Sequence, residues 1–395
     1  MIKPPQTLLD CYPSASPPVS GEVRRPLRVL QLTTGHALYG AQRWVLTLVK
    51  HLDPVQVRTT VACLRDADSA SLPLLDEARR AGLETLAIDA RRKPIVSAVR
   101  ELRAALLAHP IDIVHTHGVR EDLVALMASH GMPVKLLSTP HGWETKCSFK
   151  ERARTLLNKA VFLGFDAVAP LSEELRAAMR TVPLSRARIH LIRNAVDLSE
   201  VDNAEPVEGP LPGQFAAGDF VIGYIGRLIP GKGVRVLLEA LGHLPPTGWV
   251  CLVIGEGPER ERLTRQAERL RLGARVVFLG YHPDRLDYLK RFNLFVLPSF
   301  REGTPRCLME ALAAGVPCAG SRIPGICALL CDGITGDTFG PGDARKLAEI
   351  IAHQQRDRAD ALRKAAAGRE LVRKAFSATA MARGYEQLYL TLAQP

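Results

Sequence analysis

The sequence predicts an α/β protein made of two Rossmann-like domains whose parallel sheets face each other across a cleft. Three observations predict it. At 395 residues the chain exceeds what one hydrophobic core usually supports. Strand-length apolar runs alternate with helix-period segments, the pattern of βα units that wind a parallel sheet with helices on both faces. The alternation comes in two series, separated at residues 200–219 by an acidic stretch that carries Pro206, Pro210, Pro212 and three glycines and reads as a linker.

Residues 1–25 are rich in proline and serine and read as disordered. In the first domain, residues 26–199, Arg28 to Leu32 reads as a strand and Ala41 to His51 as the helix that follows it. Val57 to Leu64, Ile111 to His115, Val134 to Ser138, Ala167 to Pro170 and Ile189 to Ile192 read as further strands, with amphipathic stretches such as Ile95 to Ala108 between them. The second domain, residues 220–375, opens with a strand at Phe220 to Ile225. It continues through Trp249 to Ile254, Arg275 to Leu279, Leu294 to Leu297 and Pro317 to Ala319. Residues 376–395 read as a last helix, with Tyr385, Leu388 and Tyr389 at helical spacing.

Composition excludes several classes. No apolar run approaches the roughly 18 residues of a membrane span, and the first residues lack a signal-peptide core, so a cytoplasmic protein is expected. The eight cysteines are scattered; Cys327 and Cys331 have no second pair or nearby histidines for a zinc site, which predicts buried reduced thiols. A formal charge of +11 admits nucleic acid, an anionic membrane or phosphorylated small molecules as partners. Without aromatic platforms among the basic residues, nucleic acid is not expected.

Ser299 to Gly315 carries the chemistry. Seven residues separate Glu302 from Glu310 across a turn and the start of an apolar helix. Glu302 follows a buried strand, at the carboxyl end where open α/β sheets bind ligands. Glu310 lies about one and a half turns into the helix, counted from Pro305 at 3.6 residues per turn. The helix amino terminus between them, around Gly303 and Thr304, is an anion site. Carboxylates that accept from hydroxyls, beside amides that hold phosphate, describe a nucleotide sugar. Gly226-Arg227 at a strand end and Lys232-Gly233 at a helix start add two cations suited to a pyrophosphate, although alone the segment reads first as an ordinary basic loop. His115 and His117 share one side of their strand, and His141 follows the next strand; polar caps and a metal pair are the other readings, with no third ligand evident. Gly255-Glu256-Gly257-Pro258 lacks the third glycine of a dinucleotide fingerprint and reads as a strand-to-helix turn near the nucleotide.

Taken in order, Gly40-Ala41-Gln42, Val114 to Gly118, His141-Gly142, Ile192 to Asp197, Gly226-Arg227-Leu228 with Lys232-Gly233, Val253 to Pro258 and the Glu302–Glu310 pair resemble the retaining glycosyltransferases of the GT-B fold, family 4 type, over roughly residues 27–390. The resemblance implies transfer of a sugar from a nucleoside diphosphate donor to an acceptor hydroxyl, without a metal or other cofactor. It implies that Arg227, Lys232 and the amides near Thr304 stabilise the diphosphate, that Glu302 holds donor-sugar hydroxyls and Glu310 the ribose, and that His117 reaches the transferred sugar. Gly40, Asn194, Gly226, Gly255 and Gly303 would border the donor, and Tyr39 and His141 the acceptor. The last helix would cross back to the first domain.

Two departures stand out: Tyr39 replaces the first of two glycines usual there, and Ala328 stands where a glutamate commonly precedes the Asp332-Gly333 turn. Asp66-Ala67-Asp68 mimics the metal-binding acid pair of GT-A transferases, but the second βα series does not fit that single-domain layout and a solvated loop explains it. A sugar-nucleotide epimerase and a non-catalytic polyanion binder are the alternative readings. The resemblance also implies a lipid-linked or glycan acceptor. Residues 146–160 combine Phe149, Ala153, Leu156, Leu157 and Ala160 at helical spacing with Lys146, Lys150, Arg152, Arg154 and Lys159, a pattern for either a crossover helix or peripheral binding to the inner face of the cytoplasmic membrane.

Overall fold

The computed structural model describes residues 25–394, except 35–39, 67–70, 92–93, 142–159, 180–187, 210, 212 and 214–217. The described chain forms two compact units. One runs from Val196 to Ser377; the other combines the described residues up to Ala195 with those from Ala378 onward. The break therefore falls before the proline- and glycine-rich stretch, and Glu200 lies in a short helix, Leu198–Asn203, of the C-terminal unit.

Each unit holds a six-stranded sheet, parallel throughout. The N-terminal sheet consists of β1 (Leu27–Thr34), β2 (Val57–Arg65), β3 (Glu84–Asp89), β4 (Ile113–Thr116), β5 (Lys135–Ser138) and β6 (Ala167–Val168), in the order β3-β2-β1-β4-β5-β6. The C-terminal sheet consists of β7 (Phe220–Ile225), β8 (Trp249–Ile254), β9 (Val276–Gly280), β10 (Leu294–Leu297), β11 (Cys318–Ser321) and β12 (Asp337–Phe339), in the order β12-β11-β10-β7-β8-β9. Both are the doubly wound order, which reverses direction once. The reversal falls between β1 and β4 in one sheet and between β10 and β7 in the other, and ligands of such sheets bind at the strand carboxyl ends at that point.

Alternation sorts the N-terminal strands. Val29, Val61, Cys63, Ile113 and Leu137 join one core with Trp44 and Leu48 of the helix Gly40–His51, and with Met381, Tyr385 and Tyr389 of the last helix, Ala378–Leu392. Leu30, Leu32, Ala62, Leu64 and Val114 join the other, under the helices Pro94–Ala108 and Val119–Ala128. The last helix thus belongs to the N-terminal unit. Ile189 to Ile192 makes one isolated bridge, Val168 to Ile189, instead of a strand. β3 and β12 are edge strands that the apolar runs do not announce.

Candidate functional site

In the C-terminal unit, the segments leaving β7 and β10 meet at the reversal point. Lys232 Nζ donates to Glu302 Oε1 at 2.6 Å, and Ser299 Oγ donates to the same oxygen at 2.7 Å. Glu302 Oε2 has no partner among the described residues, so one oxygen is fixed by the protein and the other is open to a hydroxyl donor. Burial works against the charge of Lys232, but Glu302 outweighs it and raises the lysine pKa; Arg227 stands near enough to oppose. The helix Arg306–Ala313 begins after Pro305, which supplies an extended entry and no N–H. It ends in a Schellman turn at Gly315 (φ +74°), with Gly315 N–H to Leu312 O at 2.9 Å and Val316 N–H to Ala311 O at 3.0 Å.

Backbone contacts hold this arrangement. Gly255 has φ +138°, and a Cβ there would lie 1.9 Å from Gly226 O, so the turns after β7 and β8 stack main chain on main chain. A Cβ on Gly325 would lie 1.7 Å from Gly303 O, which makes Gly325 the floor beneath the Glu302 turn. Gly303 differs: nothing lies within 4 Å of its would-be Cβ, and it is exposed. The fold does not require glycine there, and its absent side chain leaves the amides before the helix approachable.

Glu310 is set deeper. Its carboxylate accepts from Arg285 Nη2 at 2.7 Å and Arg306 Nε at 2.9 Å on Oε1, and from Arg285 Nε at 3.3 Å on Oε2. Both arginines also reach Glu200, Arg306 at 2.9 Å and Arg285 at 3.5 Å. Burial alone would raise the Glu310 pKa, but the two guanidinium groups overcome it and hold the group at about 2. Cys307 feels both Glu302 and Glu310, and burial pushes its thiol up to about 12, so it is inert between them.

In the N-terminal unit, His117 follows β4 and belongs to a chain of neutral groups. Gln31 Nε2 donates to Tyr389 Oη at 3.0 Å, so Gln31 Oε1 accepts from His117 Nε2 at 2.8 Å. His117 Nδ1 then accepts from His141 Nε2 at 3.3 Å. Tyr389 Oη donates onward to His115 Nδ1 at 2.8 Å, and His115 Nε2 to Thr139 Oγ1 at 2.7 Å, which pairs with Tyr385 Oη at 2.8 Å. These bonds fix the tautomers of all three histidines. Burial holds His115 and His117 neutral, well below the usual imidazole range, and lowers His141 to about 4. Both ring nitrogens of His117 are engaged, while His141 Nδ1 has no partner among the described residues. Trp44 packs against the rings of His117 at 5.3 Å and His141 at 5.0 Å.

Other predicted positions are dispersed. Gly40 opens its helix and is exposed, whereas Tyr39 lies outside the described residues, as do Gly142 and residues 146–159 of the membrane-helix pattern. Asn194 belongs to the N-terminal unit, where its Oδ1 accepts from the Ala195 amide at 2.9 Å. Asp66 is taken up by an ion pair with Arg120 at 2.6 Å, and Asp68 is not described. Of the expected buried thiols, Cys63, Cys251 and Cys318 are buried, but Cys307 and Cys331 are only partly buried, and Cys327 is exposed because the short helix Pro324–Cys327 ends at the surface. Among the described residues no cluster of metal ligands occurs, and no helix is long and apolar enough to cross a membrane. Arg285, Glu200, Gln31 and Tyr389 were not singled out as site residues from sequence. Only the stripe holding Tyr389 was visible there.

Residues 39–200 match the family described as Glycosyltransferase Family 4, and residues 212–370 the family described as Glycosyl transferases group 1. A putative glycosyltransferase EpsF of Bacillus subtilis is 27% identical over 74% of this chain and 78% of that protein. A glycogen synthase of Mycobacterium tuberculosis is 32% identical over 52% of this chain, which spans about half of that protein (49%). Among solved structures, HepE of Anabaena superposes with a TM-score of 0.78 at 19% identity, over 92% of this chain and 100% of that one. Sucrose-phosphate synthase of Thermosynechococcus elongatus does so with a TM-score of 0.78 at 22% identity, over 92% and 99%. With one family profile on each unit and the doubly wound sheets of both, this chain belongs to the GT-B glycosyltransferases of family 4 type.

Proposed function

We propose that the protein is a retaining, metal-independent transferase that moves a sugar from a nucleoside diphosphate to an acceptor hydroxyl in the synthesis of a polysaccharide or glycolipid. The observation that carries this reading is Glu302: one carboxylate oxygen is pinned by Lys232 and Ser299, and the other is open, beside approachable amides. Lys232, Arg227 and those amides near Thr304 receive the diphosphate, and Glu302 Oε2 accepts from hydroxyls of the donor sugar. The bond from the anomeric carbon to the phosphate oxygen breaks, the acceptor oxygen bonds to that carbon from the same face, and the acceptor proton passes to the departing phosphate. Charge on the leaving group is met by groups already in place. Ribose would reach Glu310 only by sharing or replacing an arginine contact, and a sugar hydroxyl would reach His117 Nδ1 only by displacing His141.

Support for the donor class comes from HepE, whose crystals hold UDP or UDP-glucose. Support for a glycan or lipid-linked acceptor comes from relatives such as the LpsE lipopolysaccharide core glycosyltransferase of Rhizobium meliloti. The test is nucleotide release from UDP-, GDP- and ADP-sugars in EDTA, with and without lipid-linked acceptors. We expect release from one donor class, dependent on acceptor and indifferent to chelator. Release restored only by Mn²⁺ or Mg²⁺, or donor conversion without acceptor, would contradict it.

A further inference from the structure

A second basic site lies at the opposite end of the N-terminal sheet. The face of β1 and β2 that carries Leu30, Leu32, Ala62 and Leu64 into the core begins, at the amino ends of the strands, with Arg28 and Arg58. The two arginines are register partners on adjacent parallel strands. Their backbones therefore run about 4.8 Å apart with like charges side by side, an arrangement that destabilises a sheet. Both line a cavity of about 390 Å³, and His109 from the end of the helix Pro94–Ala108 lines it too. That volume is in the range of small-ligand sites.

Asp112 is near enough to attract the charge of Arg28 without pairing with its guanidinium. Among the described residues neither guanidinium has an ion pair or hydrogen bond. Glu84 lines the cavity but accepts from Thr60 Oγ1 at 3.0 Å. Asp112 is committed to Arg25, at 2.7 and 2.9 Å, and to the Arg28 main-chain N–H at 2.8 Å. Leu30, Leu86 and Ile111 supply apolar wall. From Arg28 to Thr34 the strand rises roughly 20 Å, so the cavity is separate from the histidine chain at the carboxyl ends.

We infer that this cavity is a binding site for a phosphate monoester, gripped by Arg28 and Arg58 with His109 beside them, and with the ester's carbon body against the apolar wall. Paired guanidinium groups hold phosphate oxygens through charge-assisted hydrogen bonds, and a dianion removes the repulsion between them. The same chemistry is offered by a soluble metabolite and by a phosphatidate headgroup.

The test is calorimetric titration of the full chain with glycerol 3-phosphate at low salt, with flotation on vesicles of phosphatidylcholine with and without phosphatidate. Arg28→Gln and Arg58→Gln should each weaken binding about tenfold or more, and His109→Asn should weaken it without touching the sheet. Ligand-free Arg58→Gln should melt no lower than the parent, because it relieves the like-charge pair. Binding of the soluble ester alone assigns the site to a metabolite; flotation that depends on phosphatidate and both arginines assigns it to a headgroup. The inference is overturned if neither probe binds, if binding is unchanged in the double arginine variant, or if binding is lost only in Arg227→Ala.

Discussion

The two reversal points differ in how they hold their polar groups. Beside β4, His141, His117, Gln31, Tyr389, His115, Thr139 and Tyr385 satisfy one another by hydrogen bonds between neutral groups, and burial keeps every imidazole uncharged. After β7 and β10 the polar groups carry full charges: Lys232 against Glu302, and Arg285 and Arg306 against Glu310 and Glu200. Neutral donors and acceptors suit hydroxyls. Preset charges suit phosphate, since they need no reorganisation when a dianion arrives. The difference also sets what each region tolerates: a neutral chain loses one or two bonds when a member changes, whereas a buried charge left alone is costly.

Breaking the charged cluster should therefore have the largest effect. Glu310→Gln replaces the buried carboxylate with a neutral amide and leaves Arg285 and Arg306 to share the more exposed Glu200, and about 3 kcal/mol of stability should be lost from the C-terminal unit. Thermal or urea unfolding followed through the C-terminal Trp249 reads this, and a rise in donor KM should accompany it. Unchanged stability would mean that the arginines find other partners.

Glu302→Gln keeps the shape and the Oε1 acceptor but turns an acceptor-only group into one that also donates. Transfer should fall about a hundredfold, with circular dichroism unaltered. A wild-type rate would remove Glu302 from the reaction.

Acidification should separate the two regions. His115, His117 and His141 have folded pKa values below the ordinary 6.5, so the unfolded chain takes up their protons first; their contribution is complete above about pH 6.5 and is lost as pH falls towards 4. Buried Asp122, raised to about 7, and Glu121, also raised, work in the opposite sense and offset part of this loss. Glu310, lowered from 4.5 to about 2, keeps its contribution until pH falls below about 4.5. Hydrogen exchange between pH 6.5 and 4.5 should show the N-terminal unit loosening first; the reverse order would contradict the assignment of neutral histidines. The smallest effect belongs to Tyr389→Phe, which removes one hydroxyl between Gln31 and His115. It should cost about 1–3 kcal/mol, because it leaves buried partners unsatisfied.

Much of this was legible in the sequence for a physical reason. Strands buried on both faces write continuous apolar runs, so Phe220 to Ile225, Trp249 to Ile254 and Leu294 to Leu297 are read to the residue. β3 and β12 sit at sheet edges, where Glu84 and Asp337 interrupt the run. Lys232 and Glu302 could be named because each follows a strand end or opens a helix. Arg285 could not, since it meets Glu310 across 25 residues and Glu200 across 85, and no local pattern records such pairings. The tyrosine stripe of the last helix was visible, but its hydroxyls acquire partners only when β1, β4 and that helix pack together.

The central claim is that Lys232 and Arg227 form a preset, metal-free grip on diphosphate. Titration of UDP, GDP and ADP into the full chain in EDTA tests it most directly, comparing the parent with Lys232→Ala, Arg227→Ala and His117→Gln. Binding of one nucleoside diphosphate without metal is expected, weakened about ten- to a hundredfold in the first two variants and little changed in the third. Equal affinity in all four proteins, or binding that appears only with Mg²⁺ or Mn²⁺, would contradict it.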